Sequence, residues 1–163
     1  MNYGLYNEDP VIKTYSGIWF NPIHPTPDMI IIEDIAHALS HQCRFGGHVS
    51  KFYSVAQHSY ECSLRVRDKL SALLHDSSEA YLIDIPRPIK QKLTNYKEIE
   101  DNLMKIISSK FGFQYPLSPE VKEIDEIMLQ LEWENFMIHT KSDLHILADP
   151  KKVFLQRFKE LSN

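Results

Sequence analysis

Four positions combine the residue types that hold divalent cations: His58, the dipeptide His75-Asp76, and Asp125. The dipeptide stands in ALLHDSSEAYLIDIP, Ala72 to Pro86, an otherwise apolar, helix-like stretch that also carries Glu79 and Asp84. Burying such groups is costly unless a partner charge or a metal ion compensates. Adjacent helical residues diverge by about 100°. His75 and Asp76 therefore hold one ion from two sides, or two neighbouring ions through a bridging carboxylate. Glu79, four residues after His75, falls on the same face one turn along. Asp84 lies where Pro86 and Pro88 forbid the helix to continue.

The other two positions also sit on the inner sides of helical patterns. In KFYSVAQHSYECSL, Val55, Cys62 and more loosely Phe52 and Leu64 mark the inward side, and His58 lies one turn from both Val55 and Cys62. Taken alone, His58 reads as a core histidine bonded to a carbonyl. In VKEIDEIMLQL the stripe of Val121, Ile124, Met128 and Leu131 is bordered by Asp125, whereas Glu123 and Glu126 suit the solvated side. Together the four supply two nitrogen and two carboxylate ligands, a set suited to a divalent transition metal with positions open to water. That is a catalytic arrangement more than a structural one. HALSH, with His37 and His41 one turn apart, competes weakly, because a metalloprotease places Glu after the first His and here stands Ala38. His24, His48, His139 and His145 have no spacing that singles them out, although His48 is near the site in sequence.

The elements that must position these residues are helical. Prolines at 10, 22, 25 and 27 make the first thirty residues an extended arm, with a short hairpin at TYSGIWF. Apolar residues then recur at three- and four-residue intervals in IEDIAHALSHQ, KFYSVAQHSYECSLRV, KLSALLHDSSEAYL, YKEIEDNLMKIISSKF, PEVKEIDEIMLQLEWENFMI and PKKVFLQRFKEL. CRFGGHVS is a loop between the first two. Ser118 before Pro119 and Asp149 before Pro150 signal helix starts. The expected class is all-α, a bundle of five to seven helices in one domain over residues 1–163.

A chain of 163 residues, 43% apolar and 25% charged, is long enough for one core. A net charge of -4 argues against a surface for a nucleic-acid polymer. Cys43 and Cys62 lack paired spacing and read as reduced, half-buried residues. MNYGLYNEDP has no basic patch with an apolar run behind it, and the longest aliphatic stretch, MIII, is too short to span a bilayer. No membrane partner is expected, and the cytoplasm of a bacterium or of a virus-infected bacterial cell is.

With these residues in view, the chain resembles the HD-domain metal-dependent phosphohydrolases, whose signature is H...HD...D on a helical core. It is most similar to the branch of bacterial 5'-deoxynucleotidases and small phage deoxynucleoside triphosphohydrolases. The likeness covers Arg44 to about Leu131: RF at Arg44 and Phe45, QHS around His58, HDSSEAYLIDIPRPIK and KEID. It implies that His58, His75, Asp76 and Asp125 bind Mn, Co or Zn, or else Mg. It further implies that Glu79 orients or deprotonates the attacking water, and that Asp84 assists the leaving oxygen or holds the sugar 3'-hydroxyl. Arg44, Lys90 and Lys122 would clamp phosphate oxygens, and Phe45, where the branch commonly has Trp, together with Pro88 would contact substrate. Gly47 would leave room for a purine amino group if it overhangs the base.

The expected reaction is release of phosphate from a deoxynucleoside 5'-monophosphate. Alternatives are triphosphate release from a deoxynucleoside triphosphate and, in another class, a non-catalytic metal- and nucleotide-binding sensor. The resemblance also implies a homo-oligomer, as does the expectation that Ile18, Trp19 and Phe20 in the arm lack cover.

Overall fold

The computed structural model describes residues 10–138 and 144–162. The segment MNYGLYNED and His139 lie outside them. The described part of the arm forms the hairpin β1 (Ile12–Lys13) and β2 (Trp19–Phe20), paired antiparallel with Ile12 opposite Phe20. Gly17 supplies the left-handed turn, φ 91°. The hairpin is fastened to the bundle through Ser16, whose backbone N–H and hydroxyl both donate to the Asp34 carboxylate at 2.7 Å.

The remainder is helical: α1 (Ile32–His41), α2 (Val55–Ser63), α3 (Lys69–Leu74), α4 (Glu79–Leu82), α5 (Arg87–Lys90), α6 (Tyr96–Phe111), α7 (Pro119–Glu132) and α8 (Pro150–Leu161). The all-α expectation holds, with the two-stranded hairpin as its one small sheet among the described residues. Local chemistry sets the ends. Ser118 accepts from the Val121 N–H and Asp149 from the Lys152 N–H, each with Pro at the first helical position. Ser54 caps α2 through the Gln57 N–H, and left-handed Gly112 ends α6.

Helix α2 packs against α1, α3, α7 and α8, so a polar residue on its inner side faces several elements at once. The main core gathers Ile35, Leu39, Val55, Leu73, Leu74, Leu103, Ile107 and Phe154, and a second cluster joins Cys62, Ala72, Val121, Ile124 and Met128. Among the described residues no helix is long and apolar enough to cross a membrane.

Three expectations need correction. KLSALLHDSSEAYL is not one helix: it breaks over residues 75–78, where the N–H groups of Ser77, Glu79 and Ala80 bond the carbonyls three residues back, those of Leu74, Asp76 and Ser77, in tighter turns. Phe52 and Leu64 do not mark the inner side of α2; they lie beyond its ends and are 50% and 46% exposed. Phe20 needs no partner chain to cover it, being fully buried against Tyr81 at a ring separation of 4.0 Å. Trp19 remains 48% exposed.

Candidate metal centre

His58 projects from the middle of α2 and is fully buried. Its Nδ1 lies 2.6 Å from Glu132 Oε1, so Nδ1–H donates to that carboxylate and Nε2 is turned the other way. His75, at the end of α3, has Nδ1 2.7 Å from the Ala72 carbonyl, which can only accept, so its Nε2 is likewise turned free. The two Nε2 atoms approach to 3.2 Å.

Carboxylates close the same point. Asp76 Oδ2 lies 3.2 Å from His75 Nε2 and 3.6 Å from His58 Nε2. Asp125 Oδ1 lies 3.2 Å from His58 Nε2 and 3.7 Å from His75 Nε2. Two ligand atoms bound at about 2.1 Å in a tetrahedral site stand about 3.4 Å apart. The observed separations scatter around that value, so the residues fit a divalent ion. Cys62 adds a softer donor. Ligand atoms of His58, Cys62 and His75 all lie within 4.8 Å of one another, a buried set that could itself bind a metal. Its Sγ is 3.7 Å from His58 Nε2.

The electrostatics express the same need for positive charge. Burial, and for His58 also Arg44, presses the imidazoles toward neutrality. Glu132 at His58 and Asp76 at His75 outweigh this and hold both pKa values well above the ordinary histidine value. Burial would raise Asp76, yet His75 beside it holds it down to about 2. Asp125 is lowered further, its burial overcome by hydrogen bonds to both imidazoles.

Asp76 and Asp125 line a cavity of about 710 Å³, which also receives Glu79, Asp84, Arg44, Lys90 and Pro88. Glu79 begins α4, and its Oε2 is buried with no hydrogen-bond partner. Burial first, then Asp76 and Asp84, raise its pKa well above the usual carboxylate range. Asp84 is also raised, chiefly by burial and against the pull of Arg44, whose Nη1 is 3.9 Å away. Gln42 spans the two acids: its Nε2 donates to the Glu79 carbonyl and its Oε1 accepts from the Asp84 N–H, both at 2.9 Å.

Phe45, Leu129, Trp133 and Met137 add an apolar and aromatic part to the lining. Phe45 meets Trp133 edge to face at 6.0 Å. Trp133 opens a single π turn, Trp133–Met137, that follows α7. His48 lines the cavity too.

Other expectations are not met. Lys122 is exposed and does not line the cavity. It lies one turn before Asp125, and helical side chains lean toward the helix N-terminus, which carries it further off. Gly47 does not line the cavity either; its φ of 82° is what favours glycine there. His37 and His41 stack on each other at 4.2 Å, and His37 Nδ1 faces the Lys151 ammonium at 3.3 Å, which turns that nitrogen from a metal. Glu132, Gln42 and Trp133 escaped the sequence reading. Glu132 had a legible signal, standing four residues after Met128 on the inner stripe of α7.

Comparison with protein-family models finds no match. The chain is 46% identical over 123 residues to the uncharacterized protein YfdR of Escherichia coli (strain K12), a match spanning 74% of this chain and 69% of that one. It is 35% identical over 161 residues to the uncharacterized protein RCAP_rcc00048 of Rhodobacter capsulatus, spanning 88% and 82%.

Proposed function

This chain belongs to the family of YfdR, and we propose that it is a metal-dependent phosphohydrolase of the HD type that releases phosphate from deoxynucleoside 5'-monophosphates. The observation that carries the reading is the meeting of two Nε2 atoms and two carboxylates beside a buried carboxylate oxygen, Glu79 Oε2, that has no partner. A purely helical interaction protein has no use for such a group in its interior.

His58, His75, Asp76 and Asp125 would hold the ion, with Cys62 beside them. A divalent ion bound there supplies Lewis acidity toward a phosphoryl oxygen and acidifies a water. Glu79, which lines the cavity and whose Oε2 has no hydrogen-bond partner, is placed to take a proton from the attacking water. Arg44 presents Nη1 to the cavity beside Asp84 and binds a phosphate oxygen. Asp84, on the cavity wall beside Arg44, is placed to assist proton transfer at the leaving oxygen.

The cations support one phosphate group over three. Arg44, Arg87 and Lys90 line the cavity. Arg87 already pairs with Glu126 at 2.9 Å, and Lys90 with Glu100. The aromatic wall supports a substrate with a planar base, since Trp133 is 44% exposed.

The test is to incubate the purified chain with Mn, Co or Zn and each deoxynucleotide in turn, then identify the anion released. Orthophosphate from monophosphates is the expected product. Triphosphate from a deoxynucleoside triphosphate would replace the substrate, and no turnover with any nucleotide would remove the enzyme.

A further inference from the structure

Glu132 is the last residue of α7, seven positions and about two turns after Asp125. One helix therefore carries a cavity carboxylate and, deeper in, a second carboxylate that is fully buried. The two oxygens of Glu132 are divided between different partners. Oε1 takes His58 Nδ1 at 2.6 Å, and Oε2 takes Arg44 Nε at 3.2 Å and Nη2 at 3.1 Å. Arg44 is left with Nη1 toward Asp84 and the cavity.

We propose that Glu132 is a positioning residue for both halves of the site, setting the His58 tautomer that turns Nε2 to the metal and aiming the Arg44 guanidinium at the bound anion. The inference rests on reading the site as a metal centre with an anion clamp. The chemistry demands a carboxylate in particular. Both partners approach as donors, and only a group with an acceptor at each end satisfies both. Glutamine has one acceptor end and one donor end, so it must present N–H to either the imidazole N–H or the guanidinium. The backbone holds Arg44 close to this arrangement: its N–H donates to the Tyr53 carbonyl at 2.9 Å, and Cys43 bridges to Ser54. The guanidinium rather than the loop is then what Glu132 has to orient.

The experiment measures two affinities of Glu132→Gln by calorimetry with no nucleotide present: Co²⁺ for the metal-free chain, and inorganic phosphate for the Co²⁺-saturated chain. Metal affinity falls about tenfold or more, the scale of a lost second partner of a ligating histidine. Phosphate affinity falls as well, by about tenfold, the scale of a lost hydrogen bond to a charged group. A fall in only one restricts Glu132 to that partner and overturns the shared role. A mere brace would lower the melting temperature and leave both affinities unchanged. Should the variant not fold, imidazole ¹⁵N spectra of the Zn²⁺-loaded wild-type chain decide: an Nδ1–H tautomer at His58 with a protected Arg44 Nε–H is expected. An Nε2–H tautomer, or a freely exchanging Arg44 Nε–H, overturns the proposal. Neither readout needs turnover, so a chain that hydrolyses no nucleotide would sink the proposed activity and leave this inference standing.

Discussion

The imidazoles of His58 and His75 face each other Nε2 to Nε2 at 3.2 Å, with each Nδ1 tied elsewhere. Neutral rings would set two lone pairs against each other, so the pair needs either protons or a metal between its nitrogens.

That competition predicts how a metal stabilises the fold. Both histidine pKa values are raised in the folded chain. In the metal-free protein their stabilising contribution is therefore complete below about pH 6.5 and is lost as the pH rises through the raised values. A metal requires the same nitrogens deprotonated. The melting-temperature increase produced by Mn²⁺ over chelator is thus larger near pH 8 than near pH 6. A shift that shrinks toward alkaline pH would remove the two imidazoles from the ligand set.

Glu79→Gln tests the division between ligand and base. The variant keeps its metal affinity and loses at least ~100-fold in rate, the scale of a missing general base. Metal titration and turnover read on the same protein check it. Preserved rate with weakened metal binding would exchange the two roles.

Trp133 lines the cavity beside Phe45, which it meets edge to face. Base stacking is worth roughly 1–3 kcal/mol, so Trp133→Ala raises KM for a deoxynucleotide by roughly tenfold. Deoxyribose 5-phosphate, which has no base, serves as the control substrate and its KM does not move. Equal losses on both would mean that Trp133 shapes the cavity and does not hold the base.

Ile83 stands at φ 68°, ψ 147°, a region that β-branched residues avoid, and it is 65% exposed. Strain of this kind costs about 1–3 kcal/mol, while glycine adds back about 0.5–1 kcal/mol of unfolded-state entropy. Ile83→Gly accordingly stabilises the chain by roughly 1 kcal/mol in urea denaturation. Destabilisation would show that the exposed isoleucine makes packing contacts that outweigh its backbone.

Much of the helical frame was legible because its ends carry their own chemistry. Helices α6, α7 and α8 begin and end close to where Ser118-Pro119, Asp149-Pro150 and the periodic apolar residues put them. The break at residues 75–78 was not, since the surrounding leucines and alanines continue a helical rhythm through it. The convergence of His58, His75, Asp76 and Asp125 was legible because each sits on or beside an inward stripe, whereas Cys62, one turn from His58, was read only as part of that stripe. Glu132 was visible on such a stripe, but its meaning depends on His58 and Arg44, 74 and 88 positions away. The turn of Trp133 into the cavity follows from one extra residue in a helical turn, which periodicity does not announce.

Phe20 gives the hairpin arm a reach beyond its own segment. Its ring lies flat on Tyr81, two residues past Glu79 and on the same short helix. An N-terminally trimmed chain starting after residue 20 would withdraw that wedge, and the first thing to lose its seat would be the carboxylate at the start of α4. The arm is thereby an outer buttress of the short helix that seats Glu79, so under the proposed reaction changes in its length and changes in rate travel together.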